Sequence, residues 1–325
     1  MQISARVDPA AAQDGHAPEF TCVLEIQAPP ASMPPPVLAL AVALDLSNSM
    51  EGAPLRALRT CVATLADRLA DDDRLALVVF DRTAEIRTPL LPLREGRGLL
   101  LRAAIGIEAG GTTDLVAGWQ EAVALLAEAP RRSLRRVILC TDGGTTAEPN
   151  DLDAFLDDVR MTRVRHDIGT STLAVGRTPR TDLMAGLALA GRGSAGRATF
   201  ASEARLALTH EVDVLRRTGA RAAEVAIFPA AGSWVSETPR GAARSTDGSA
   251  RLLLGELEGG ERRRIVWSMR SDRARAATFP QLATARIRWG RPGDPNDRRT
   301  AVASCVVGAG AAHSPAVRWE PDASD

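Results

Sequence analysis

The sequence has no lysine, no tyrosine and no net charge, and only four cysteines and 3% aromatic residues in a length of 325. Its 40 basic side chains are all arginine and are matched by 40 acidic ones. A neutral chain has no long-range field with which to hold a polyanion, so general binding to nucleic acid or to an anionic membrane surface is set aside as its task. The arginine monopoly, beside abundant alanine, reads most simply as the mark of a GC-rich genome.

Long apolar runs are missing too. No stretch approaches the roughly 18 to 20 uninterrupted apolar residues of a membrane-spanning helix. Residues 1–30 carry acidic side chains early and lack the apolar segment of a secretory leader. These absences predict a cytoplasmic protein. Cys22, Cys61, Cys140 and Cys305 form no CxxC pair and have no histidine at ligand spacing. That argues against a zinc knuckle or a disulfide framework and predicts four small buried hydrophobic side chains.

What is present is an ordinary globular composition, 45% apolar and 25% charged, over a length that predicts about two domains at ~150 residues each. Val37 to Leu44 reads VLALAVAL, short enough for a strand and apolar at every position, as in a parallel strand covered on both faces. Pro54 opens a helix with Leu55, Leu58, Val62, Leu65 and Leu69 in one stripe. Strand runs at Leu75 to Phe80, Val137 to Cys140 and Thr172 to Gly176 then alternate with helical patterns at 94–105, 114–127, 151–163, 181–189 and 203–217. A short strand is expected near Phe200. Such alternation predicts βαβ units and a doubly wound, mostly parallel sheet.

After Gly219 the period changes to two. In ATARIRW, Ala285, Ile287 and Trp289 share one face, and Arg286 and Arg288 the other. Similar runs at 224–229, 251–257, 263–269 and 301–307 predict an antiparallel sandwich or barrel. Trp234, Trp267 and Trp289 are expected in its core. QISARV and FTCVLEI near the N-terminus are too few strands to fold alone and are expected to join these later ones. The α/β domain is thus expected to be inserted in a β-sandwich, with boundaries at 1–36, 37–218, 219–310 and a tail at 311–325.

Three segments fall at one edge of the expected parallel sheet, where ligands bind in such folds. They are Asp45-Leu46-Ser47-Asn48-Ser49 after the first buried strand, GGTTDLVAG from Gly110 to Gly118 ahead of a helix, and Thr141-Asp142-Gly143-Gly144 after VILC. Together they offer hydroxyl and carboxylate oxygens and no nitrogen or sulfur, which suits Mg²⁺ or Mn²⁺ better than zinc or copper. The blander alternative is that Asp45, Ser47, Ser49 and Asp142 only cap a helix and a turn.

This combination of DxSxS, a later threonine and a strand-terminal TDG resembles the von Willebrand factor A domain with its metal-ion-dependent adhesion site, over about residues 37 to 218. The resemblance implies that Ser47 and Ser49 are direct metal ligands, that Asp45 and Asp142 hold coordinated waters, and that Thr113 is the loop ligand. In the family motif the threonine precedes a helix glycine by five, as Thr113 precedes Gly118; Thr112 is the alternative. Asn48 stands where glycine is frequent, and Thr145 and Thr146 follow Gly144 where a more usual loop varies, so partner choice is not readable there.

Other motifs carry less. Gly191, Gly193 and Gly196 spell GxGxxG but follow a helical pattern, so they are read as a loop and not as a dinucleotide site. A phosphotransferase would need an acid where Ser47 stands. Arg262, Arg263 and Arg264 are read as the exposed start of a strand. The expected function is therefore a non-enzymatic, bacterial-type interaction module that binds an Asp or Glu of a protein partner through a Mg²⁺ or Mn²⁺ ion. The resemblance implies work beside AAA+ ATPases or in signalling and defence complexes. The alternatives are an accessory subunit of an AAA+ ATPase or chelatase-like machine, and a structural protein whose metal site is idle.

Overall fold

The computed structural model describes residues 1–9, 17–144, 149–272, 281–294, 296–307, 312–313 and 317–318. The chain forms two compact units, Pro36–Arg216 and the flanking Met1–Pro35 with Arg217–Asp325. The flanking unit opens with β1 (Gln2–Pro9) and β2 (Glu19–Gln27). The inserted unit then runs β3 (Leu38–Asp45), α1 (Ala53–Arg68), β4 (Arg74–Phe80), β5 (Ala84–Pro92), α2 (Leu93–Ile105), α3 (Leu115–Ala127), β6 (Leu134–Thr141), α4 (Pro149–His166), β7 (Ile168–Val175), α5 (Thr181–Ala190), β8 (Arg192–Ala198) and α6 (Ala201–Arg216).

Its sheet has the order β5-β4-β3-β6-β7-β8. All neighbours are parallel except β4 and β5. The unbroken apolar run of β3 has its cause here: every residue of that strand is buried. Leu38, Leu40, Val42 and Leu44 face one core with α1, α2 and α6, while Ala39, Ala41 and Ala43 face the other with α3, α4 and α5. The alanines leave room for Trp119 of α3, whose Nε1 donates to Thr170 Oγ1 at 3.0 Å and whose ring meets Phe155 edge-on. This is the doubly wound α/β arrangement expected of the sequence.

Two details differ from the sequence reading. Gly191 of the GxGxxG segment closes α5, Gly193 and Gly196 lie in the edge strand β8 and not in a loop, and Thr199 and Phe200 fall outside any strand. The segment's glycines serve close packing: a Cβ on Gly193 would stand 2.2 Å from the Thr170 carbonyl oxygen of β7. A run of glycine, alanine, serine and arginine has no β-branched signal, so pairing with β7 decides its state.

The flanking unit continues as β9 (Thr218–Pro229), β10 (Ser233–Glu237), β11 (Ala243–Arg244), β12 (Ala250–Glu258), β13 (Arg262–Ser271), β14 (Gln281–Gly290), β15 (Arg298–Val306), β16 (Ala312–His313) and β17 (Val317–Arg318). Two antiparallel sheets form, β10-β13-β2-β1-β16 and β11-β12-β9-β14-β15-β17. The N-terminal strands do join the later ones: β2 pairs with β13 from Gln27↔Arg262 to Glu19↔Arg270. Both sheets contribute to a single core, with Leu24, Ile26 and Trp267 from one and Val225, Ile287 and Trp289 from the other.

Trp234 is a correction. It is 41% exposed, because β10 turns Val235 inward and leaves its tryptophan on the outer face. The four cysteines are buried free thiols. Cys22 lies beside Cys305, and Cys61 beside Cys140; the thiol–thiol hydrogen bonds and then burial hold Cys22 and Cys140 well above the ordinary thiol range. Among the described residues, no helix is long and apolar enough to cross a membrane.

Candidate functional site

The order of the sheet reverses at β3, which lies between β4, its successor, and β6, reached later. Open α/β sheets carry their crevice at the carboxyl ends of the strands flanking such a point. Asp45 ends β3, and Thr141 ends β6 with Asp142 following it. The loops here are cross-tied. Leu46 N–H donates to the Phe80 carbonyl at 2.8 Å, Gly110 N–H to the Leu46 carbonyl at 2.6 Å, and Asn48 N–H to the Gly111 carbonyl at 3.2 Å. The stretch before α3 is thereby held against the Asp45–Ser49 turn.

Asp45 is 0% exposed, Ser47 4% and Thr113 7%. Asp142 is half-buried, and Asn48, Ser49 and Thr112 are exposed. One Asp45 oxygen accepts the Ser47 N–H at 2.8 Å and the other the Thr141 hydroxyl at 2.5 Å. Thr141 Oγ1 in turn accepts the Gly143 N–H at 2.9 Å, which fixes its proton toward Asp45. Burial pushes the Asp45 carboxyl above the ordinary range, the Thr141 and Ser47 hydrogen bonds pull it back, and the nearby Asp142 charge adds to the rise.

The hydroxyls of Ser47 and Ser49 stand 3.0 Å apart. Neither caps a helix. The short 3₁₀ turn at Asn48–Met50 has no side-chain cap from Ser47, and α1 starts from Gly52, also without one. Asp142 does brace a turn, since its Oδ1 accepts the Gly144 N–H at 2.8 Å. Asp114 caps α3 by accepting the Ala117 N–H at 2.9 Å. Gly118, which sets the motif spacing to Thr113, meets the Phe80 ring so closely that a Cβ there would lie 2.3 Å from it. Thr145 and Thr146 lie outside the described residues.

Thr141 is the residue whose role the sequence reading missed. Its contact with Asp45 joins positions 96 apart in the chain. The available signal was a hydroxyl residue closing a buried strand just before Asp142.

Residues 40–145 match the family model of the von Willebrand factor type A domain. The α/β unit has the von Willebrand factor A fold. The chain is similar to a von Willebrand factor type A protein from Catenulispora acidiphila, with TM-score 0.77 and 14% identity over 94% of this chain and 73% of that one. It is also similar to the ArnB paralog VWA2 from Sulfolobus acidocaldarius, with TM-score 0.57 and 14% identity over 94% of this chain and 76% of that one. At such identities the likeness shows the fold alone. An uncharacterised protein of Synechocystis sp. is 29% identical over 161 residues, 48% of this chain and 36% of that protein, so the chain spans about a third of its length.

Within the A fold, the donor chemistry can be tested against a divalent cation. The buried carboxylates among the described residues are Asp45, Asp73 and Glu211. Asp73 pairs with Arg216, and Glu211 with Arg136 at 3.6 Å. Among the described residues Asp45 meets only neutral donors. A buried carboxylate without a counter-charge is costly, and a bound cation would remove the cost as a proton does. The serine hydroxyl spacing also fits, because adjacent ligands of an octahedral ion at ~2.0–2.1 Å lie about 2.9 Å apart. Asp45, Ser47, Ser49, Thr113 and Asp142 are therefore a donor set that suits Mg²⁺ or Mn²⁺.

Proposed function

We propose that the α/β unit is a divalent-cation-dependent interaction module that binds an acidic side chain of a protein partner. A von Willebrand A fold supports the interaction role in general; the observation that carries the metal-dependent part is Asp45, fully buried and without a cationic partner among the described residues. Ser47, Ser49 and Thr113 would hold Mg²⁺ or Mn²⁺ through hydroxyl oxygens, with Asp45 and Asp142 accepting from its water ligands. The ion would supply a positive centre on which a partner's carboxylate can close.

The chain's own residues divide the work. Thr141 orients Asp45 through the 2.5 Å hydrogen bond. The Ser47 N–H holds the other carboxylate oxygen. Neutral hydroxyls near the ion leave its charge largely uncompensated, and exposed Ser49 marks the side open to a partner. This is a binding reading, with no residue assigned to bond-breaking chemistry. Isothermal titration of Mg²⁺ into wild type and into a Ser47→Ala, Ser49→Ala double variant tests it. Saturable heat is expected for wild type and is expected to be lost in the variant; equal heats would refute the site.

A further inference from the structure

The flanking unit holds an arginine run that the metal site does not use. It begins β13, where Arg262 and Arg264 are exposed, Arg263 is half-buried and Val266 is 44% exposed. On one side β13 is paired with β2 over nearly its whole length, Arg262 to Arg270. On the other, β10 covers only Ser268 to Ser271. A register shift between Val235 and Glu237, with Pro239 soon after, carries the chain away from the sheet. The edge of β13 from Arg262 to Trp267 therefore has no strand beside it among the described residues.

The side chains on this bare edge alternate in a readable way. Arg262, Arg264 and Val266 share the outer face; Ile265 and Trp267 are buried in the core. Across the outer face the rungs are Gln2–Gln27–Arg262 and Ser4–Glu25–Arg264. They line an open groove of about 370 Å³ that includes Arg262 and Arg264. Among the ion pairs of the described residues none involves Arg262, Arg264 or the adjacent Glu25. The Trp267 indole N–H, at the end of the bare stretch, is buried and has no acceptor among the described residues.

We propose that this edge is a docking site for an extended acidic segment of another protein, added as a strand beside β13. The backbone would supply the pairing, as in strand addition generally. Arg262 and Arg264 would select acidic residues at alternate positions, and the in-between positions, beside Ile265 and Trp267, would take apolar ones. A second copy of this chain is disfavoured, because an antiparallel pair centred on the arginine run sets Arg262 against Arg264. The same charges that guard a bare edge against self-association thus give it a preference.

The test uses the full chain in EDTA, which silences the cation site, and an acetylated, fluorophore-labelled peptide of alternating valine and glutamate. Anisotropy titration is expected to show saturable binding that weakens with salt. Binding should fall at least tenfold in an Arg262→Glu, Arg264→Glu variant whose melting matches wild type. A peptide with lysine for glutamate should then prefer that variant. N-methylation of one alternate set of peptide amides should abolish binding. Absent saturable binding, equal affinity for both peptides, equal affinity of both proteins, or binding that survives methylation of each set in turn would each overturn the proposal.

Discussion

The two units bury charge in opposite ways. In the β-rich unit alternation sends nearly every charged side chain to solvent, and no carboxylate is buried among its described residues. The α/β unit buries Asp45, Asp73 and Glu211. Two of these have arginine partners and the third has none among the described residues. The difference teaches where to look for function: a paired buried carboxylate holds elements together, whereas the unpaired one at the sheet's carboxyl edge is the place we propose for a cation.

The largest expected effect breaks a structural pair. Glu211 accepts from Ser171 at 2.6 Å and faces Arg136, with both charged side chains nearly fully buried. Glu211→Ala removes the carboxylate that this guanidinium faces, leaving it the Arg192 carbonyl at 3.0 Å, and should cost about 3–5 kcal/mol, read by urea unfolding. Asp45→Asn, measured the same way in EDTA at neutral pH, should cost nothing or stabilise. Next is Gly118→Ala, whose Cβ would strike the Phe80 ring. Displacing α3 should cost about 1–3 kcal/mol and weaken cation binding through Thr113.

A smaller effect lies in pH. The Asp45 carboxyl is raised in the folded protein. The folded state then holds its proton more tightly than the unfolded state does, and the unfolded chain binds fewer protons above the ordinary carboxylate pKa of about 3.9. Stability in EDTA should therefore fall as pH rises from there to the raised value, then level off. Asp45→Asn should lack that component, seen as the difference between the two stability–pH curves.

Much of this contrast was legible in the sequence. β3 could be read because burial on both faces leaves an unbroken apolar run, and the strands around Trp289 because burial on one face leaves alternation. The DxSxS, Thr113 and TDG segments were found by local motif. What escaped was set by neighbours. Thr141 touches Asp45 across two strands, β8 is a strand only because β7 lies beside it, and Trp234 faces out because Val235 takes the inward place. The bare edge of β13 was equally hidden, since Arg262 to Arg264 give no sign of where β10 turns away.

The most direct test of the central claim is the stability gained on adding Mg²⁺, for wild type and for Asp45→Asn. At a hundredfold excess over Kd the wild type should gain about 2.7 kcal/mol, seen as a higher urea midpoint at unchanged slope, and the variant nothing. An equal gain in both proteins, or none in wild type, would contradict the account.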